Sequence, residues 1–120
     1  MKALVLREHG DNEKLTLEPQ FPNPTPGADD VVIRVKASSL NYHDVFTRRG
    51  MPGIKLPFPV IIGLDVAGEI VQTGANVRDW KAGDRVVLHG WGVGETHWGG
   101  LAQKARLNGD WLIPLPAGFT

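Results

Sequence analysis

Four histidines and the carboxylates close to them in sequence are the residues from which this chain could build a reactive centre. His89, Glu95 and His97 offer the nitrogen and oxygen ligands that zinc accepts. Their spacing is not that of a tight ligand motif, so we favour histidines that are exposed to solvent or support neighbouring residues. The sequence contains no cysteine, which excludes disulfides, thiolate nucleophiles and cysteine-ligated zinc.

A glycine-rich segment, Gly90-Trp91-Gly92-Val93-Gly94, invites comparison with loops that bind phosphate. The dinucleotide fingerprint requires a third glycine three residues after the second, and a helix must follow it. Glu95 stands at that position, and a further strand is predicted after the segment. We therefore favour a bulged β-turn, with a glycine-rich wall beside a ligand as the alternative.

The charge and the apolar content of the chain limit its partners. Thirteen Lys and Arg residues balance thirteen Asp and Glu residues, so neither nucleic acid nor an anionic membrane surface is expected as the main partner. The four tryptophans have no basic residues interleaved with them, which favours core and rim positions over stacking on bases. No stretch approaches the roughly 18 apolar residues of a transmembrane helix. A cytoplasmic protein is therefore expected.

The elements that would position these residues are mostly short strands. A length of 120 residues predicts one domain, residues 1–120, while fifteen glycines and nine prolines predict many turns. Alternating apolar and polar residues predict a mainly β fold, a small barrel or sandwich with a single helix. The predicted strands are residues 2–6, 14–18, 30–38, 65–73, 85–89, 101–108 and 111–114.

The predicted helix is short and has clear end signals. Asn41 can act as N-cap, with Asp44 three residues later as in a capping box. Gly50 can close the helix at its C-terminal end. An apolar stripe on the helix is formed by Tyr42, Val45 and Phe46.

Five segments in unbroken order resemble the N-terminal catalytic domain of the medium-chain dehydrogenase/reductase superfamily, which folds like the co-chaperonin GroES. They are KALVLREHG, VVIRVKASSLNYHD, PFPVIIGLDVAGEIVQTGANV, WKAGDRVV and GGLAQKARLNGDWLIPLPAGF. The resemblance implies a GroES-like, partly open β-barrel that packs against a Rossmann cofactor-binding domain, with the active site in the cleft between them. That Rossmann domain is expected to be absent from this chain.

The residues at the family's zinc positions indicate which branch of the superfamily the chain resembles. Zinc alcohol dehydrogenases place a cysteine where this chain has Asn41, and a His-Glu pair where it has Leu64-Asp65 after Gly63. Neither Asn nor Leu is a serviceable zinc ligand, so no metal is expected. The chain then resembles the zinc-independent quinone oxidoreductases and enoyl reductases, which use NADPH to reduce a quinone or an activated C=C bond.

The C-terminal part of the chain resembles one group within this branch. LHGWGVGETHWGGLAQKARLNGDWLIPLP is similar to the acrylyl-CoA reductase group, whereas residues 1–87 are similar to the general quinone-reductase and alcohol-dehydrogenase pattern. A natural intermediate and a fusion joined near Val87-Leu88 are both open.

The resemblance also implies roles for individual residues. Asn41 would line the pocket and Tyr42 would touch the nicotinamide ribose side of NADPH, and an amide and a phenol can each donate to a substrate carbonyl oxygen. Trp91 and Trp98 are assigned to the substrate pocket. The alternative for Tyr42 is a core residue of the helix stripe, and for Asp65 a hydrogen-bonded carboxylate that serves structure alone.

Two functions follow from these observations. The first is the substrate-side domain of a zinc-independent NADPH-dependent oxidoreductase that acts on a small-molecule substrate and is inactive without its Rossmann partner. The alternative is a stand-alone or engineered GroES-like scaffold or interaction domain without catalysis. Apolar residues on the uncovered cleft face lead us to expect self-association at raised concentration.

Overall fold

The structure, a computed structural model, describes residues 1–119 and consists of eight strands and one α-helix. Two single turns of 3-10 helix, Asn12–Lys14 and Gly109–Trp111, lie between strands. In chain order the elements are β1 (Ala3–Leu6), β2 (Leu15–Glu18), β3 (Asp30–Ala37), α1 (Tyr42–Arg49), β4 (Val60–Ile61), β5 (Asp65–Thr73), β6 (Arg85–His89), β7 (Lys104–Asn108) and β8 (Ile113–Pro114).

The strands form two antiparallel sheets. The smaller has the order β2-β1-β4, and the larger has the order β7-β3-β5-β6-β8. A bridge between Ala3 and Ala102 joins them, beside a 2.9 Å hydrogen bond from the Leu4 N–H to the Leu101 oxygen. Within the described residues the sheets do not close into a barrel. The prediction of a mainly β fold with one short helix is confirmed.

The main core lies against the larger sheet. Its fully buried side chains include Val31 and Ile33 from β3, Ile70 from β5, Val86 from β6 and Leu107 from β7. Each such side chain contributes roughly 1.5–3 kcal/mol through its removal from water. The neighbouring strands β3 and β5 both pack on this core. Because α1 lies in the segment that connects them, the core fixes both ends of that segment.

Two strand predictions need correction, and one strand was missed. The strand expected over 101–108 begins at Lys104, because residues 101–103 pair with the other sheet around β1. The strand expected over 111–114 begins at Ile113, because Asn108 caps a 3-10 turn by accepting the Asp110 N–H at 2.9 Å. Strand β4 was not predicted, since two residues after a proline-rich loop carry no alternation.

Helix α1 has the predicted bounds but presents an unexpected face. It begins after Asn41 and ends before Gly50, whose φ of 96° is unfavourable for a residue with a side chain. Its buried residues are Asp44, Thr47 and Arg48, whereas Tyr42 is 82% exposed. The alternative that Tyr42 belongs to the core is therefore wrong. No helix within residues 1–119 is long and apolar enough to cross a membrane.

Candidate active site

A buried carboxylate, Asp44, fixes the start of α1. Its Oδ2 accepts the Asn41 N–H at 2.9 Å, and its Oδ1 accepts the Gly63 N–H at 3.0 Å. The first contact completes the predicted capping box, and the second attaches the helix to the segment between β4 and β5. Arg48, the other buried charged residue of α1, donates to the Gly10 oxygen at 2.7 Å.

A second carboxylate, Asp65, lies at the first position of β5 and binds the loop that leads into α1. Its Oδ1 accepts the Ser39 N–H at 2.8 Å, and its Oδ2 accepts the Ser39 hydroxyl at 2.6 Å. The Asn41 side-chain amide also donates to Oδ2, at 3.0 Å. Asp65 therefore holds both the loop and the side chain of the helix N-cap.

These contacts alter the acidity of Asp65. Burial acts to raise the pKa of its carboxyl, but hydrogen bonds from Ser39 and Asn41 act in the opposite direction, as does the charge of His89 on β6. The net effect is a pKa below the ordinary value for aspartate. The carboxyl is therefore ionised at neutral pH.

This lowered pKa predicts a pH dependence of stability. A carboxyl whose pKa is lower in the folded chain than in the unfolded chain stabilises the fold above its ordinary pKa, and this contribution is lost as the pH falls through the folded-state pKa. We expect the free energy of unfolding, measured in urea at neutral and acidic pH, to fall less for Asp65→Asn than for the wild type. An equal fall in both proteins would contradict the assignment.

Asn41 and Tyr42 form the part of this region that is open to a ligand. The Asn41 amide has two N–H groups, and its contact with Asp65 uses one of them. The Tyr42 side chain is largely exposed at the first position of α1. A phenol and an amide can each donate a hydrogen bond to a carbonyl oxygen.

Of the two tryptophans assigned to the substrate pocket, one lines a cavity of about 490 Å³ and the other stacks on a residue that lines it. Trp98 lines it, packs edge-on against Phe21 and donates its indole N–H to the Pro59 oxygen at 3.2 Å. Trp91 is 62% exposed and stacks on Trp111, another lining residue, with the ring planes 7° apart. The described lining of this cavity does not include Asn41 or Tyr42. A substrate-binding role for the two tryptophans stays a prediction.

The glycine-rich segment forms a chain of tight turns. Gly90, Gly92 and Gly94 all have positive φ, between 76° and 85°. A Cβ added at Gly94 would lie 2.6 Å from the Gly63 oxygen, and one added at Gly99 would lie 2.2 Å from it. The segment therefore supports the backbone that precedes Asp65, in agreement with the turn interpretation.

The histidines do not assemble a metal centre. Glu95 pairs with His43, whose Nε2 lies 3.2 Å from Oε2, while His97 packs against Trp111 and His89 lies across from Asp65 on the neighbouring strand. In the described part of the chain, no group of three or more His, Cys, Asp or Glu side chains is placed to hold a metal ion. The alternative of a site on His89, Glu95 and His97 is therefore not supported.

Two antiparallel sheets that do not close into a barrel, with one short helix, form the architecture of a GroES-like domain. Residues 27–117 match the alcohol dehydrogenase GroES-like domain family. The chain therefore belongs to this family, the GroES-like domain of the medium-chain dehydrogenase/reductase superfamily, as its motifs predicted.

Three known proteins show how far the similarity extends. The chain is 44% identical over 119 residues to the probable acrylyl-CoA reductase AcuI of Escherichia coli, covering 99% of this chain and 36% of the relative. The crystal structure of the yhdH oxidoreductase from Salmonella enterica in complex with NADP superposes with a TM-score of 0.77 at 40% identity, covering 100% of this chain and 36% of that one. Escherichia coli quinone oxidoreductase complexed with NADPH gives a TM-score of 0.86 at 26% identity, covering 100% and 35%.

These matches show how much of each relative the chain covers. It spans about a third of the length of the curated relatives that it matches, 36% for the Escherichia coli reductase. That alignment covers 99% of the chain and so crosses Val87-Leu88. The comparison therefore gives no reason to place a junction there.

Proposed function

We propose that this chain is the substrate-side domain of a zinc-independent, NADPH-dependent reductase that acts on an activated C=C bond or a quinone. Acrylyl-CoA is the first candidate substrate, because a relative that aligns over 99% of the chain is named as a probable acrylyl-CoA reductase. The observation that carries the proposal is a donor pair at the start of α1, the half-buried Asn41 held by Asp44 and Asp65 and the exposed Tyr42 beside it.

The chain's residues suit one end of the cofactor. The exposed Tyr42 phenol is accessible for the contact with the nicotinamide ribose side of NADPH that the family resemblance implies, and the second N–H of Asn41 suits a carbonyl oxygen. The sequence lacks a glycine-rich fingerprint for the phosphates, which a Rossmann domain would supply. NADPH, when bound, supplies the hydride. Asn41 and Tyr42 would bind the substrate carbonyl oxygen and stabilise the negative charge that develops on it.

The proposal is tested by a fused enzyme, in which this chain replaces the matching first third of the Escherichia coli relative. The fused enzyme should consume NADPH when acrylyl-CoA or a quinone is added, whereas the 120-residue chain alone should not. A folded fused enzyme that reduces neither substrate would contradict the proposed function. A cytoplasmic location and self-association of the isolated chain stay predictions.

The absence of zinc is a separate prediction. Asn41 and Leu64 occupy the positions at which the zinc enzymes of the family have ligands, and an amide or an alkyl group does not replace a thiolate or an imidazole. We expect elemental analysis of the purified chain, and of the fused enzyme, to find no stoichiometric zinc. One tightly held zinc ion per chain would overturn this prediction.

A further inference from the structure

We propose that Asp65 is a positioning residue, which fixes the orientation of the Asn41 amide so that its free N–H is presented to the substrate. This inference rests on the proposed function, in which Asn41 contacts the substrate. It assigns a functional role to Asp65, a carboxylate that need not itself touch the substrate.

The first support is the rigidity of the Asp65 carboxylate. Both of its oxygens accept hydrogen bonds, and Ser39 donates two of them, from its backbone N–H at 2.8 Å and its hydroxyl at 2.6 Å. The neighbouring Ser38 hydroxyl donates to the Asp65 backbone oxygen at 2.8 Å. Ser39 therefore holds the carboxylate, and Ser38 the backbone of the same residue, independently of Asn41.

The second support is the chemistry of the amide. An asparagine side chain can rotate by half a turn, which exchanges its N–H groups for its carbonyl oxygen. An ionised carboxylate only accepts hydrogen bonds, so Oδ2 of Asp65 attracts the Asn41 N–H group and repels its oxygen. With one N–H bound to Asp65, the orientation of the other is determined.

The third support is that the helix start has a different anchor. Asp44 accepts the Asn41 backbone N–H and joins α1 to Gly63. The contact between Asp65 and Asn41 involves the side chain alone. Because the Asn41 side chain also belongs to the capping box, loss of the Asp65 contact should leave the amide N–H groups less firmly oriented while α1 stays in place.

The inference is tested first by nuclear magnetic resonance on the 120-residue chain. The Asn41 side-chain amide protons should be shifted and protected from exchange in the wild type. In Asp65→Asn, their protection should fall about tenfold or more, the loss expected for one hydrogen bond. Asp29→Asn is the matched control, because Asp29 accepts the Asn76 amide at 3.2 Å in a similar contact elsewhere. It should alter Asn76 and leave Asn41 unchanged.

A second measurement uses the wild type and so does not depend on the folding of a variant. The groups around Asn41 that titrate are Asp65, Asp44 on α1 and His89 on β6, and each can be followed by its own carbon signal. The Asn41 amide signals should move with the midpoint of the Asp65 carboxyl. Signals that follow Asp44 or His89 instead, or that are unchanged in a folded Asp65→Asn variant, would overturn the inference.

The fused enzyme gives a third readout. Asp65→Asn should lower kcat about tenfold with little change in KM, and it should cause no further loss in a protein that already carries Asn41→Ala. Equal losses with and without Asn41 would contradict a positioning role. An inactive fused enzyme contradicts the proposed function, whereas Asn41 amide signals that do not depend on Asp65 contradict this inference.

Discussion

Replacing Asn41 by alanine in the fused enzyme should lower kcat for acrylyl-CoA about 100-fold, the effect of removing one donor to a developing oxyanion. The donor acts mainly after negative charge has formed on the substrate oxygen, so KM should change much less than kcat. Tyr42→Phe, which removes only the phenol hydroxyl, should lower kcat about tenfold. The measurement is the steady-state rate of NADPH consumption at several substrate concentrations.

The control for this prediction is Asn76→Ala. The side-chain N–H of Asn76 also donates to an aspartate. That aspartate is Asp29, which is not part of the candidate site. We expect its kcat to equal that of the unmodified fused enzyme. If Asn76→Ala and Asn41→Ala reduced kcat equally, the loss would reflect general damage and the assignment of Asn41 would be wrong.

Replacing Gly94 by alanine should destabilise the chain by about 2 to 5 kcal/mol. Gly94 has a φ of 82°, where an L-residue costs roughly 1–2 kcal/mol. The added Cβ would also lie 2.6 Å from the backbone oxygen of Gly63, and overpacking of this kind costs a further 1–3 kcal/mol or so. Urea unfolding followed by circular dichroism measures the change.

Gly90→Ala separates the cost of the positive φ from the cost of the close Cβ contact. Gly90 lies in the same segment with a φ of 85°, but nothing lies within 4 Å of the added Cβ. Its cost should therefore be only the conformational one, about 1–2 kcal/mol. Equal losses for Gly90→Ala and Gly94→Ala would show that the contact between Gly94 and Gly63 does not support the fold.

The sequence predicted those features that depend on local patterns. Residues 65–73 and 85–89 are each bounded by turn signals and form strands with the predicted bounds. Helix α1 was predicted from end signals within ten residues of one another, and the structure confirms them. Strand β4 has only two residues, which is too few to show a periodicity. It forms by pairing with Val5 and Leu6, which lie in a distant part of the chain.

The candidate site was less predictable, because its contacts join residues far apart in sequence. Ser39 carried no signal by itself, and its two bonds to Asp65 span 26 positions. The apolar stripe on α1 suggested a buried Tyr42, yet the helix is anchored through the polar groups of Asp44 and Arg48. Which face of a short helix is buried depended here on partners that the helix sequence does not contain.

Calorimetric titration of NADPH into the 120-residue chain and into the fused enzyme tests the central claim, that this chain is one half of a reductase active site. Two hydrogen bonds from Asn41 and Tyr42 are worth about 1 kcal/mol each, whereas micromolar binding requires roughly 8 kcal/mol. We therefore predict micromolar binding to the fused enzyme and no measurable binding to the chain alone. Micromolar binding to the chain alone would contradict the claim, as would a folded fused enzyme that does not bind NADPH.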